Sequence, residues 1–549
     1  MTESAHLDPF ARDNLPPREL WPDLVFALPE LRYPARLNCV SQFLDRWIAE
    51  GRGHALCLVG EQESLTYRQL FERVNRIANL LVNRLGLKPG HRVLLRSGNT
   101  PALVAAYLAV IKAGGIVVAT MPMLRARELA YPLDKAKIAL ALCDHRLADE
   151  MERARAMAPG LERVVYWGSG APDSLEALAA RESPAFTALD TAADDVCLIA
   201  FTSGTTGEPK GAMHFHRDML AICDTYARHV VRAAPEDRFI GTAPLAFTFG
   251  LAIVLFPMRI GATGIVLELT GPDALATAIA RERATICFTA PTAYRAMLAK
   301  IAHYDLTSLR RCVSAGEALP RATFEAWQAA TGLKLLDGIG GTEMLHIYIS
   351  APEDQVRPGA TGRPVPGFEA RVVDEAGREV PPGTVGRLAV RGPVGCRYLA
   401  DARQTQYVVD GWNYPGDSYL MDEDGYFWYQ ARTDDMIVSA GYNIAGPEVE
   451  AALLRHPAVL ECAVVGAPDP ARGTLVKAYV VLAPGSEAGP DLAKALQDFV
   501  KAEIAPYKYP RAVEFVAALP KTTSGKIQRF ELRRLAAEAA SAAPVSVPA

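Results

Sequence analysis

The sequence predicts an α/β protein with mostly parallel sheets, interrupted once by antiparallel strands and completed by a second, smaller α/β segment. Three observations predict it. From Leu65 onward, stretches with apolar residues at helical spacing alternate with short apolar runs, the pattern of strand–helix–strand units. Several of those runs, such as VCLIAFTSG and ATICFTAP, end at small residues. Between Phe368 and Val390 the period changes to two, with Gly and Pro turns, and after Asp434 helix and strand patterns return.

The elements follow in order. Residues 1–40, rich in Pro, Arg and aromatic side chains, are expected to wrap the surface of the first domain. TYRQLFERVNRIANLLVNRLG reads as an amphipathic helix, HRVLLRSGN as a strand leading into a turn, and PALVAAYLAVIKAGGIVVAT as helix then strand. Lys112 and Gly114-Gly115 break that last apolar stretch, so it reads as buried rather than membrane-spanning. FEARVVDEAGREVPPGTVGRLAV reads as antiparallel strands with hairpins. PEVEAALLRHPAVLECAVVGAPD reads as helix then strand, and LAKALQDFVKAEI as a further helix. The domain boundary falls near Arg432–Asp435, and no internal repeat is visible.

Composition narrows the function. A chain of 549 residues predicts more than one domain. A net charge of −4 lacks the basic excess of a nucleic-acid partner. Nine cysteines, an odd number with no C-x-x-C pair, suit reduced, buried thiols in a cytoplasmic protein. The N-terminus has no basic and apolar leader pattern, so no secretion or membrane partner is expected.

The most informative string is FTSGTTGEPKG, Phe201 to Gly211, between the apolar run VCLIA and the helical stretch DMLAICDTYARHVV. Gly204 and Gly207 let backbone N–H groups approach phosphate oxygens, the hydroxyls of Thr202, Ser203, Thr205 and Thr206 add donors, and Lys210 adds charge. It is not a Walker A loop, because Pro209 stands where that motif needs glycine.

This loop resembles the signature of the adenylate-forming superfamily, which contains acyl-CoA synthetases, firefly luciferase and peptide-synthetase adenylation domains. GIGGTE (Gly338 to Glu343), the segment Gly411 to Ile444 and PKTTSGKIQR (Pro520 to Arg529) resemble its other motifs in the same order. The resemblance implies a large N-terminal domain (1–433) of parallel-sheet subdomains plus a β-barrel-like subdomain, and a small mobile α/β C-terminal domain (434–549). It implies ATP, Mg²⁺ and coenzyme A as cofactor and substrates, and a monomer or homodimer. By resemblance Glu343 holds Mg²⁺, Thr342 contacts the α-phosphate, and Asp417 and Arg432 hold the ribose. Gly316, Glu317 and Ala318, with Asp337, Gly338 and Ile339, are implied on the adenine side. The family usually has a stacking tyrosine where this chain has Ile339. Lys526 is implied as the lysine that bridges carboxylate and ATP during adenylation. Asp434 falls at the hinge, and Gly441, Tyr507, Lys508 and Arg511 are implied near coenzyme A.

The acyl pocket is expected behind PLAFTFG, lined by Ala246, Phe247, Thr248 and Phe249 with Gly340 and His346. Phe247 and Phe249 suit a flat aromatic ring. GTEMLHIYIS resembles benzoate-type ligases, where a histidine borders the aryl group, and the combination of PPREL-WP, FTSGTTGEPKGAMHFHRD and AFTFG resembles 2-aminobenzoate-CoA ligases. The expected activity is therefore aryl-CoA ligation through an acyl-AMP, with a small aromatic carboxylate, 2-aminobenzoate or benzoate, as substrate. Salicylate, cyclohexanecarboxylate or a fatty acid, and stand-alone amino-acid adenylation, are the alternatives. The last usually needs an acid in the region of Phe247, which PLAFTFG lacks.

Overall fold

The computed structural model describes residues 3–202, 208–268, 271–432, 435–439, 442–469, 473–504, 508–522 and 525–542. Strand and helix alternation yields two large sheets. The first is ordered Arg163–Trp167, Leu140–Asp144, Arg92–Arg96, Ile116–Thr120, Val196–Thr202 and Lys210–Phe215; all neighbours are parallel except the last pair, which is antiparallel. The second has nine strands. Its six central ones, Leu335–Gly340, Arg311–Ala315, Ile286–Thr289, Arg238–Gly241, Thr263–Ile265 and Leu56–Val59, are parallel, with antiparallel strands at both edges.

Parallel strands are covered on both faces, which explains their continuous apolar runs. Arg92–Arg96 is buried at every position, and each fully buried Val or Leu there contributes about 1.5–3 kcal/mol. Arg96 is tolerated in this setting because its guanidinium donates to the carbonyls of Met121, Pro122 and Leu124 at 2.8–3.1 Å. Helix Tyr67–Asn83 starts at a capping box, in which Thr66 Oγ1 accepts from the Gln69 N–H at 3.2 Å and Gln69 Oε1 accepts from the Thr66 N–H.

The expected antiparallel region is a six-stranded sheet in which Glu369–Val373 pairs with Val385–Arg391, and Asp417–Met421 with Phe427–Arg432. The C-terminal domain pairs Val459–Asp469 antiparallel with Gly473–Leu482, and Ala512–Phe515 parallel with the latter. Its own core includes Val449, Leu453, Val464, Val476, Leu496 and Val500. The N-terminal segment does run over the first domain, with Ser4 donating to Asp195 and the Leu7 and Asp8 N–H groups to Pro89 O. All nine cysteines are buried and unpaired. Among the described residues, no helix is long and apolar enough to cross a membrane.

One element departs from simple expectation. The helical stretch expected from DMLAICDTYARHVV is an α-helix, His216–Ile222, that widens into a π-helix over Cys223–Val231. Thr225 Oγ1 donates to the Ala221 carbonyl at 2.6 Å there, a side chain competing for a backbone acceptor.

Candidate active site

The parallel strands of the second sheet deliver their carboxyl ends to one edge, where open α/β sheets bind ligands. Arg238–Gly241 leads to 244–250, Arg311–Ala315 to Gly316–Ala318, and Leu335–Gly340 to the turn Thr342–Met344. Ser314 and Ala315 pair in register with Asp337 and Gly338, which sets the two segments expected on the adenine side next to each other. Gly316 has φ +91, a conformation that favours glycine. Asp337 lies partly open to this edge, and the protein packed around it pushes its carboxyl up to about 8, against the Gly338 N–H that favours the anion. Ile339 packs against the main core at a strand irregularity. Gly340 is obligatory, because a Cβ there would lie 2.6 Å from the His346 carbonyl oxygen.

Glu343 is 8% exposed. Its Oε1 accepts from the Tyr398 hydroxyl, with Lys210 Nζ 3.9 Å away. Lys210 also lies over the rings of Tyr398 and Tyr407, at 4.8 and 5.8 Å. Burial, then the Glu343 charge, push the Tyr398 phenol well above its usual range, so it stays a donor. Thr342 presents its backbone carbonyl to His214 Nε2 at 2.8 Å.

Asp417 and Arg432 are direct cross-strand partners. Arg432 Nη1 is 3.3 Å from both Asp417 oxygens and donates to the Pro415 carbonyl at 2.8 Å. A cation and a carboxylate are thus fixed together beside the turn at Gly416, where any Cβ would meet Arg432 at 2.8 Å.

Lys526 sits on a tight turn. The Thr522 N–H donates to the Lys526 carbonyl at 2.7 Å, and the Lys526 N–H donates to Thr522 Oγ1 at 3.1 Å. The residue is exposed to solvent at the face of the C-terminal domain that carries this turn. Desolvation lowers its pKa, Glu317 pulls it back up, and Arg432, Asp417 and Glu343 also act on it. Burial likewise raises the Glu317 carboxyl, opposed by Thr292, Arg295 and Lys526. The C-terminal domain therefore places Lys526 among residues of the second and third sheets. Arg295 reaches across to Glu461 at 3.9 Å, and Glu461 is also held by Lys521 at 2.8 Å.

His346 is 3% exposed and sits inside an aromatic cluster. Its ring centroid lies 4.8 Å from Phe256, 5.2 Å from Tyr226, 5.7 Å from Phe249 and 6.3 Å from Phe288. Neither ring nitrogen has a hydrogen-bond partner among the described residues. Burial lowers its pKa to about 3, so the ring is neutral, with one N–H and one bare nitrogen. Of the expected pair, Phe249 stacks on His346 and meets Phe288 edge-on, while Phe247 stands half-buried beside the half-buried Ala246, and Thr248 is buried.

Lys508 is bound to Glu448 at 2.6 Å, and Arg511 lies over the Tyr509 ring at 4.8 Å, both within the C-terminal domain. Thr202 ends its strand, half-buried. Ser203, Gly204, Thr205, Thr206, Gly207, Asp434, Gly441 and Tyr507 lie outside the described residues. Sequence reasoning missed Tyr398, His214, Tyr226, Phe256 and Phe288. Tyr226 and Phe288 lie in a helical stretch and an apolar run that were legible, but nothing in either string marked them as facing the site.

Residues 45–398 match the AMP-binding enzyme family and residues 448–526 match the AMP-binding enzyme C-terminal domain. The chain is 38% identical over 512 residues to a benzoate–CoA ligase of Thauera aromatica, covering 92% of this chain and 97% of that one. It is 34% identical over 509 residues to a 4-hydroxybenzoate–CoA/benzoate–CoA ligase of Rhodopseudomonas palustris, covering 91% and 94%. The crystal structure of an anthranilate CoA ligase in complex with anthranoyl-AMP superposes with a TM-score of 0.89 at 34% identity, covering 94% of this chain and 100% of that one.

Proposed function

Since the chain belongs to the AMP-binding enzyme family, we propose that it is an aryl-CoA ligase with 2-aminobenzoate or benzoate as substrate. It would join ATP and the acid into an aryl-AMP, release pyrophosphate, and pass the aryl group to coenzyme A with release of AMP. One observation carries the aryl assignment: a neutral histidine, His346, buried among four aromatic rings with both nitrogens unpartnered. An ortho amino group has an N–H for the bare nitrogen, which supports 2-aminobenzoate.

In the first half-reaction, a carboxylate oxygen attacks the α-phosphorus and the bond to pyrophosphate breaks. Two anions must be brought together, and Lys526, beside Glu317, Asp417 and Glu343, is the cation for that task. Asp417 is the acceptor for the ribose hydroxyls, oriented by Arg432. Lys210 faces the phosphates from the first sheet, and Thr342 lies on the turn beneath them. Glu343 fits Mg²⁺: it is a hard carboxylate donor of which Tyr398 engages one oxygen only, and this ion needs few protein ligands when phosphates supply the rest. When bound, Mg²⁺ offsets the charge that builds on the phosphate oxygens. The second half-reaction needs room for the pantetheine thiol. We assign the boundary at 433/434 as the place where the C-terminal domain turns, releasing Lys526 and bringing Lys508 and Arg511 toward coenzyme A. Loss of the Arg295–Glu461 contact would accompany that turn.

The test is AMP and thioester formation by the purified protein with ATP, Mg²⁺ and coenzyme A. The acids are benzoate, 2-aminobenzoate, 2-hydroxybenzoate, cyclohexanecarboxylate, a medium-chain fatty acid and several amino acids. Turnover concentrated on the benzoates is expected. Turnover on fatty acids or amino acids with benzoates inert would overturn the aryl assignment.

A further inference from the structure

Building on that reading, we propose that His214 is a positioning residue: it fixes the turn Thr342 to His346, and so ties the phosphate side of the site to the aryl side. His214 is fully buried, so it holds a neighbour and touches no substrate.

The geometry runs as a chain of contacts. The Thr342 carbonyl has two lone pairs and uses both. One accepts the Leu345 N–H at 3.1 Å; the other faces His214 Nε2 at 2.8 Å. A carbonyl only accepts, so Nε2 carries the proton. Leu345 has φ +65, a left-handed backbone that branched side chains seldom adopt. Such a conformation persists only where its surroundings hold it, and it clusters at functional sites. The His346 N–H then donates to the Met344 carbonyl at 2.8 Å, closing a second tight loop. Within five residues the chain thus presents Glu343 to Lys210 and Tyr398, reverses through Leu345, and inserts His346 into the aromatic cluster.

The strand that carries His214 is itself rigid. Lys210, Ala212 and His214 share one of its faces, so the same face supplies Lys210 to Glu343 and His214 to Thr342. Its far end is pinned by Asp218, whose Oδ2 accepts the Phe215 N–H at 3.0 Å and pairs with Arg397, both ions fully buried. Arg397 also takes the Met213 N–H on its carbonyl at 2.7 Å. His214 Nδ1 stands 3.8 Å from the same Asp218 oxygen. Burial pushes that carboxyl up, but Arg397, His214 and Arg217 outweigh it and hold it below the usual range, which keeps the Asp218–Arg397 pair ionised at the end of the strand.

Two variants test the assignment: His214→Gln keeps an N–H donor, and His214→Leu keeps bulk without one. Amide hydrogen exchange over 340–348 reads the turn independently of activity, and pyrophosphate release reads the chemistry. Loss of one hydrogen bond predicts exchange at Leu345 and His346 about 5–10-fold faster in the Leu variant and pyrophosphate release slowed by a similar factor, with the Gln variant within about threefold of the unaltered protein. Exchange in the neighbouring strand Arg311–Ala315 should not change. Unchanged exchange in the turn, equal acceleration across the whole sheet, a Gln variant no better than the Leu variant, or failure of both variants to fold would each overturn the proposal. If the unaltered protein releases no pyrophosphate with any acid, the ligase reading fails, and the exchange experiment still decides the role of His214.

Discussion

Replacing His346 by phenylalanine separates the two things this side chain is argued to do. Phenylalanine keeps a flat ring in the cluster of Tyr226, Phe249, Phe256 and Phe288 but removes both ring nitrogens. Among the described residues those nitrogens are buried and without partners, at 3% exposure. An unsatisfied buried polar group costs ~1–3 kcal/mol, and a ligand that satisfies it recovers that amount, about 5–150-fold in kcat/KM. The His346→Phe protein should therefore lose about 5–150-fold in kcat/KM for 2-aminobenzoate while changing little for benzoate, which has no ortho donor. Its stability should hold or rise, because the substitution removes unpaired polar atoms from an apolar cluster. The pKa of about 3 adds a check: His346 is neutral across the neutral range, so the preference for 2-aminobenzoate over benzoate should be flat between about pH 5 and 9. The assay is thioester formation with the two acids in parallel, with thermal unfolding of both proteins. Equal losses on both acids, or a marked fall in melting temperature, would refute the reasoning and make His346 a structural residue.

Three further predictions follow from the ionised groups. Lys526→Ala should abolish aryl-AMP formation but leave thioester formation from a supplied aryl-AMP largely intact; equal loss in both half-reactions, measured separately, would contradict the role given to this lysine. Because burial lowers the Lys526 pKa while Glu317 raises it, the charged form is lost as pH rises through a value below 10.5, and Glu317→Gln should move that alkaline limb of pyrophosphate release to lower pH; an unmoved limb or a shift upward would show the wrong partner. Asp218→Asn strands the fully buried Arg397 and should destabilise the fold by about 3–5 kcal/mol in urea denaturation, and a change within ~1 kcal/mol would mean that water or a backbone group replaces the lost anion.

How far the sequence could be read depended on how local each feature is. The helix Tyr67–Asn83, the strand Arg92–Arg96 and the hairpin partners Glu369–Val373 and Val385–Arg391 are legible because each carries its own period and its own turn or cap residues. The phosphate-loop string, the turn at Thr342 and Glu343, and Lys526 are legible for the same reason: contiguous residues carry their chemistry. The partners of those residues are another matter. Tyr398 reaches Glu343 across 55 positions and His214 reaches Thr342 across 128, and no local pattern marks either pair. Ring contacts to His346 come from a π-helix, a 3₁₀ turn, an α-helix and a strand, so the aromatic cluster exists only once the second sheet has set its strands in order.

The sequence by itself determined the α/β class, the order of the motifs and the identity of the charged residues, because hydrophobic period and contiguous loop chemistry are properties of neighbours along the chain. Only the tertiary structure decided that Phe249, not Phe247, stacks on His346, that both His346 nitrogens find no partner among the described residues, and that Glu317, Asp417 and Glu343 act on Lys526. Burial and pairing depend on which distant segments meet, and that is set by sheet order and domain docking.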